Sequence, residues 1–399
     1  MFRKLNFLIN LILIFSIVYD VSFKVFPFLT TGRVAFLFLT VAHFSKIKDF
    51  LKNYGKFFLI VLILLVVSFF QSIFSDDFTQ VSRIAFFMIY SLMASFLMYI
   101  RINNLEKLLT LFLLAFSFQS VVLLYSFFRP SFKLTLDSLI VYGGNFTAEN
   151  LYRAFGFSSA TGAALSVIQG LAVGVGLIKL HMFPKRKFLT ITAIIICFIS
   201  TFFVGRTGII VSIIFAGYFF VISFKLRLIF KYAIMTIIAL FSFSVIINQI
   251  ENRLNTIEGF STEYFSKWIA EGFDLKDNKT VNALAKDQRI PELNFDTFFI
   301  GTGTITKDGL NTSGHDSGFI QTYYSMGLFF TFVFYFALIL FIYYKFRDYK
   351  KSLVFLFIFL ILLLEFKEPM VFKYTEIFVL FSILFTLKDY LSNKQIMLK

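Results

Sequence analysis

The sequence predicts an all-α integral membrane protein with about twelve transmembrane helices, and three observations carry that prediction. The composition is 58% apolar, 20% aromatic and only 15% charged over 399 residues, with a mean hydropathy of +0.81, whereas ordinary soluble chains carry about 25% charged and under about 50% apolar residues. The apolar residues fall into runs close to the roughly 20 residues a helix needs to cross a bilayer. The Lys and Arg residues gather in alternate connections, as they do where cytoplasmic loops carry the positive charge. Such a chain cannot cover a soluble fold with polar surface, so soluble enzymes, nucleic-acid binders and secreted scaffolds are excluded. The net charge of +15 then has a topological cause, and no nucleic-acid partner is expected.

Apolar runs bounded by charges give spans at about 5–22, 25–44, 57–74, 84–100, 108–128, 160–178, 189–204, 207–224, 229–248, 319–344, 353–366 and 374–387. The first follows Met-Phe-Arg-Lys and has no small-residue cleavage site behind it, so it reads as a retained span rather than a removable signal peptide. Nine spans therefore fill residues 1–248, a long loop occupies 249–318, and three spans with a cytoplasmic tail fill 319–399. The alternate loops that begin with Arg3 and Lys4 and end with Lys388, Lys394 and Lys399 hold 22 of the 38 basic residues. By the positive-inside rule these loops and both termini are cytoplasmic. The lone Cys197 lies inside an apolar run and forms no internal disulfide. The 62 Phe against one Trp say nothing about aromatic ligands.

By parity the loop 249–318 faces outward. It holds 11 of the 23 acids and seven bases, a local balance of −4 against +19 for the rest. A connection of this length usually serves as a lid or binding element. A second outward segment, about 129–159, contains Leu139-Ile-Val-Tyr-Gly-Gly-Asn145 and reads as a re-entrant or interfacial stretch.

Charges at the outer ends of spans carry the chemical information, because each is costly in lipid unless it faces a cavity or partner. Arg206 sits in Phe203-Val-Gly-Arg-Thr-Gly-Ile209, a tight turn where Gly205 and Gly208 would let a ligand approach the backbone. A snorkelling turn residue is the plainer reading. Arg153, in Tyr152-Arg-Ala-Phe-Gly-Phe-Ser-Ser159, offers a second cation at that level, Arg253 follows the ninth span, and Arg289 lies within the long loop. A planar guanidinium suits a pyrophosphate because it bonds two oxygens and keeps its proton, although a salt bridge to a loop acid would satisfy any one of them. His315, in Ser313-Gly-His-Asp-Ser-Gly318, has an adjacent carboxylate, Asp316, that can hold the imidazole in one tautomer for proton transfer near neutral pH. Ser317 lacks the surroundings of a hydrolase nucleophile. No metal-binding spacing is present. Asp76-Asp77 would suit a divalent cation but reads better as a helix N-cap.

The long outward loop ending in Gly301-Thr-Gly303, followed by His315-Asp-Ser-Gly-Phe-Ile-Gln-Thr-Tyr-Tyr-Ser-Met-Gly327 leading into a span, resembles the Wzy-type O-antigen and capsule polymerases and their relatives, the O-antigen ligases. The Arg153–Gly156 segment and the Gly-Arg-Thr-Gly turn at Arg206 resemble further family segments. The resemblance implies a glycosyltransferase C-type (GT-C) fold in the bacterial inner membrane, with one long periplasmic or extracellular loop. It implies metal-independent, inverting joining of undecaprenyl-pyrophosphate-linked oligosaccharide repeats at the outer leaflet, without a cofactor. The growing chain would be the donor and a single lipid-linked repeat the acceptor, with a chain-length regulator and a flippase as partners. Carried over by position, His315 is the base or acceptor-orienting group and Arg206 with Arg253 the pyrophosphate-binding pair, while Arg153, Arg289 and Asp316 bind substrate. Alternatives are a ligase that transfers the chain to lipid A core, a lipid-linked oligosaccharide flippase or transporter, and a metal-dependent glycosyltransferase using Asp76 and Asp77. A flippase would place its charges near mid-membrane in two pseudo-symmetric halves, whereas here they cluster at the outer ends, apart from Arg33.

Overall fold

A computed structural model describes residues 2–142, 153–222, 294–307, 310–347 and 351–397. The described residues are almost wholly helical. In chain order the helices are α1 (Phe2–Tyr19), α2 (Thr31–Ala42), α3 (Ile47–Ser75), α4 (Thr79–Arg101), α5 (Leu105–Phe128), α6 (Pro130–Leu139), α7 (Gly162–Met182), α8 (Lys187–Val204), α9 (Arg206–Ile222), α10 (Phe295–Ile300), α11 (Gly318–Phe346), α12 (Lys351–Lys367) and α13 (Tyr374–Met397). A minimal antiparallel hairpin, β1 (Thr306–Lys307) with β2 (Leu310–Asn311), interrupts them. Among the described residues six helices, counting the 3₁₀ turn that leads into α3, are long and apolar enough to cross a membrane: Phe44–Ser75, Thr79–Arg101, Leu105–Phe128, Gly162–Met182, Lys187–Val204 and Gly318–Phe346.

Most apolar runs become helices within a few residues of their expected ends; the third starts ten residues early, at Ile47, and the last runs ten residues on, to Met397, while the second is cut short. Its helix covers only Thr31–Ala42, 12 residues, or roughly 18 Å at about 1.5 Å per residue, short of a hydrocarbon core of roughly 30 Å. Pro27 disfavours helix at and before its position, and the backbone of 22–24 pairs instead with the end of α6. Lys24 N donates to Leu139 O (2.9 Å) and Val141 N to Ser22 O (2.8 Å). The described residues of the expected outward segment 129–159 are of two kinds. Pro130 opens α6, where a missing N–H costs nothing, whereas 153–161 is non-helical, with Ala154, Phe155, Gly156 and Ser158 buried. The expected ninth span, 229–248, and most of the long loop lie outside the described residues.

Alternation of helix direction sorts the connections into two sets. At one end Lys345 and Lys388 stand over the Tyr54 ring, Arg101 bonds Asn6 and Asn10, and Lys179 bonds Thr190 (3.1 Å). These cations belong to the loops read as cytoplasmic. At the other end the C-terminal ends of α3, α8 and α12 meet the N-terminal ends of α4, α7, α9 and α11, and the candidate site lies there.

The core explains the Phe content. Phe57 stacks on Phe341 (ring centroids 4.3 Å apart) and Phe334 on Phe372 (5.1 Å), while Phe87, Phe381 and Phe385 extend the array edge-on or tilted. Aromatic pairs favour such offset and edge geometries. The membrane-length part of α7 is 78% buried and that of α3 only 28%, so α7 is central and α3 peripheral. Its polar residues are used for cross-helix ties: Gln169 Oε1 accepts from Ser120 (2.8 Å) and Ser200 (3.3 Å), and Gln169 Nε2 donates to Tyr19 (3.2 Å). Small residues and such bonds join helices where lipid removes the usual hydrophobic driving force.

Candidate functional site

The site grows from three backbone devices. In the first, α7 and α9 touch through glycines. Ser166 on α7 hydrogen-bonds Gly205 O and accepts from Gly208 N (2.7 Å), and a Cβ on Gly208 would lie 2.0 Å from Ser166 O. Gly205 and Gly208 therefore admit a neighbouring helix, which corrects the expectation that they leave the backbone open to a ligand. Arg206 begins α9 between them and is partly buried.

The second device holds Arg153. Ala154 N donates to Phe203 O (2.8 Å), Lys133 Nζ to Arg153 O (2.9 Å) and Phe157 N to Gln119 Oε1 (3.2 Å). Gly156 makes room for the Gln119 amide, whose nitrogen would lie 2.2 Å from a Cβ there. The Arg153 guanidinium reaches the start of α7, with Nη1 2.8 Å from the Cβ position of Gly162. Burial pushes Lys133 down to about 8, partly offset by Asp137.

The third device is a break in α11. Gly327 has φ 78°, outside helical geometry, which releases carbonyls of the preceding turn. Thr302 N donates to Tyr324 O and Gly303 N to Ser325 O (both 2.9 Å). A Cβ on Gly327 would lie 2.2 Å from Phe299 O, and one on Gly301 2.3 Å from Ser325 O. The Gly301-Thr-Gly303 motif is thus a backbone dock against the broken helix.

Beyond this dock, Asp77 holds the hairpin. Its carboxylate accepts from the backbone N–H groups of Thr79 (2.9 Å), Ile305 (2.5 Å) and Thr306 (2.8 Å). Burial raises the Asp77 carboxyl, yet the hydrogen bonds from Thr79, Thr306 and Ile305 outweigh it and leave the group below its ordinary value. The N-cap expected at Asp76-Asp77 falls instead on Phe78; Asp77, one residue before it, spends its carboxylate on Thr79 N and the hairpin backbone, and Asp76 takes a left-handed conformation at the end of α3. Among the described residues no cluster of three His, Cys, Asp or Glu side chains is placed to hold a metal ion.

The hairpin leads to the His315 turn. Asn311 accepts from Ser313 N (3.1 Å), and its amide nitrogen donates to His315 O, which Gln321 Nε2 also reaches (2.8 Å). His315 is partly buried and Asp316 exposed. Ser317 is buried with its hydroxyl toward Glu365 O (3.5 Å). Glu365 is itself fully buried, accepting from Tyr335 and from Val371 N (2.7 Å), and so shapes the corner between α12 and α13.

These devices converge on a mixed-charge cluster. Lys367, at the end of α12, donates to Thr207 Oγ1 (2.6 Å) and lies within electrostatic range of Glu368, Asp316, Arg206 and Arg153. Four residues singled out from the sequence, Arg153, Arg206, His315 and Asp316, therefore share one end of the bundle. The N-terminal ends of α7, α9 and α11 point the same way, and such ends favour anions. Arg253 and Arg289 lie outside the described residues. His43 and His181 are at the opposite end, beside Arg101 and Phe219 respectively.

Beside the cluster a pocket of about 360 Å³ is walled by Arg83, Asn311, Asp316, Gln321, Glu368 and Lys373. Arg83 donates to Gln321 Oε1 (3.0 Å), and Lys373 pairs with Glu368. Arg83, Lys367, Glu368 and Lys373 were not foreseen as site residues. The available signal was charge at the ends of apolar runs, as in Leu364-Glu-Phe-Lys-Glu-Pro369, where each charge needs a partner or a cavity. No family model, curated protein or solved structure matches the chain.

Proposed function

We propose that the chain is a polysaccharide polymerase of the bacterial inner membrane. It joins undecaprenyl-pyrophosphate-linked oligosaccharide repeats by metal-independent, inverting transfer, within a GT-C-type architecture of about twelve spans. The observation that carries the reading is the grouping of Lys367 with Arg206, Arg153 and Asp316, beside the His315 turn.

In the proposed step a hydroxyl of the acceptor repeat attacks the anomeric carbon of the donor chain and its proton passes to the His315 imidazole. The bond from that carbon to the lipid pyrophosphate breaks, and the pyrophosphate leaves with the electron pair. A base near neutral pH serves the first event. Fixed cations and helix N-termini stabilise the charge that grows in the second. The polyprenyl tail stays in lipid while its headgroup meets the cations, which is why the enzyme is embedded.

The test offers purified protein one undecaprenyl-pyrophosphate-linked repeat with two acceptors, a second such repeat and lipid A core. Products that grow by whole repeats on the lipid carrier support the polymerase. Product found only on lipid A core makes the chain a ligase, and no transfer to either by folded protein removes the glycosyltransferase reading.

A further inference from the structure

The pocket beside the cation cluster has walls unlike a phosphate site. Two cations, Arg83 and Lys373, face two carboxylates, Asp316 and Glu368, so its charge balances, and Asn311 and Gln321 add amides. We propose that it binds an uncharged sugar ring of the acceptor. The assignment rests on the polymerase reading for the word acceptor, and on the pocket alone for the sugar.

Hydroxyl groups both donate and accept, so a ring carrying several of them matches a wall where donors and acceptors alternate. Arg83 and Lys373 supply donors, Asp316 and Glu368 acceptors, and the planar amides supply both. Pro369 and Ile305 complete the lining with apolar surface for the carbon face of a ring. The volume of about 360 Å³ lies at the small end of ligand pockets and suits a mono- or disaccharide. A sugar acid would bring its carboxylate against Asp316 and Glu368, and repulsion of that kind is how a site rejects a near relative.

The pocket walls are built into the fold. Gln321 is fixed between Arg83 and the His315 carbonyl (3.0 and 2.8 Å), and Glu368 is held by Lys373. Asp316 lines the pocket and also lies within range of Lys367. A sugar seated in the pocket therefore touches the same Asp316 that interacts with Lys367 of the cation cluster, the proximity that an acceptor and a departing pyrophosphate require.

The test applies detergent-solubilised full-length protein to an array of neutral di- to tetrasaccharides and their uronic- or sialic-acid counterparts. Wild type is expected to bind at least one neutral glycan at least tenfold more strongly than its acidic counterpart. Glu368→Gln and Gln321→Ala should each lower that signal at least tenfold. A second measurement keeps the test decisive if those variants fold poorly: Cys197 is buried, so Thr306→Cys provides a thiol at the pocket wall whose maleimide labelling the bound neutral glycan should slow at least fivefold. Binding confined to acidic glycans, no binding to any neutral glycan, or undiminished binding by both variants overturns the proposal. Neutral-glycan binding by a protein that transfers no repeats would leave the sugar pocket and remove the polymerase, while transfer with a blank array would do the reverse.

Discussion

Replacing Gly208 with alanine tests whether close contact between α7 and α9 is what positions Arg206. The new Cβ would lie 2.0 Å from Ser166 O, and ordinary contact begins near 3.4 Å, so the helices must part by about 1.4 Å. Overpacking of this kind costs about 1–3 kcal/mol. Weakening the Ser166 bond to Gly208 N adds about 0.5–1.5 kcal/mol, and the better helix propensity of alanine returns about 1 kcal/mol. The expected net loss is about 0.5–3.5 kcal/mol. Arg206 is two residues away, and a shift of about 1 Å at a reacting group can lower a rate roughly 100-fold. The control is Gly217→Ala on the same helix, where nothing lies within 4 Å of the new Cβ, so stability should rise by up to about 1 kcal/mol. A thiol-reactive dye reads the melt, because the chain's one cysteine, Cys197, is fully buried until the bundle opens. Repeat transfer reads the activity. If Gly208→Ala melts and turns over like Gly217→Ala, the contact is not what fixes Arg206.

Other perturbations reach the remaining supports. Gly327→Ala forces a Cβ onto φ 78°, ψ 170° and to within 2.2 Å of Phe299 O; that essentially glycine-only conformation alone costs roughly 1–3 kcal/mol, and proteolysis near 301–303 should accelerate. Asp77→Asn replaces a carboxylate whose folded pKa is depressed, so wild type should hold stability above the ordinary carboxylate range and lose it as pH falls through the lower folded value. Melts from pH 6 to about 2 should therefore show a shallower acid limb in the variant, and equal limbs would contradict the role given to Asp77. Lys133, pushed by burial to about 8, binds fewer protons folded than unfolded between about pH 8 and 10.5. Wild type should accordingly gain stability over Lys133→Met as pH rises through that window, and melts at pH 7 and 10 measure the gain.

Much of the helical frame was legible because lipid-length apolar runs admit little else. The second run, 25–44, shows the limit: hydropathy alone could not tell that Pro27, and the pairing of the neighbouring 22–24 with 139–141, would leave 25–30 outside the helix. The site was partly legible. Arg153, Arg206, His315 and Asp316 stood out as charges beside glycines, but glycine has several uses. At Gly208 it admits Ser166, at Gly156 the Gln119 amide and at Gly327 the Phe299 carbonyl, and each contact is long-range and invisible in local sequence. Lys367 and Arg83 stand at the ends of apolar runs, and only the packing of α12 on α9 and of α4 on α11 gives them Thr207 and Gln321 as partners.

The central claim is that His315 and the cations around Arg206 perform glycosyl transfer without a metal. The most direct measurement incubates purified protein with a synthetic undecaprenyl-pyrophosphate repeat and EDTA, comparing wild type, His315→Ala and Arg206→Ala on a ladder gel. The account predicts a ladder from wild type despite the chelator and its collapse in both variants, each folded by the Cys197 melt. A ladder that needs a divalent cation, or one that survives both substitutions, would contradict it.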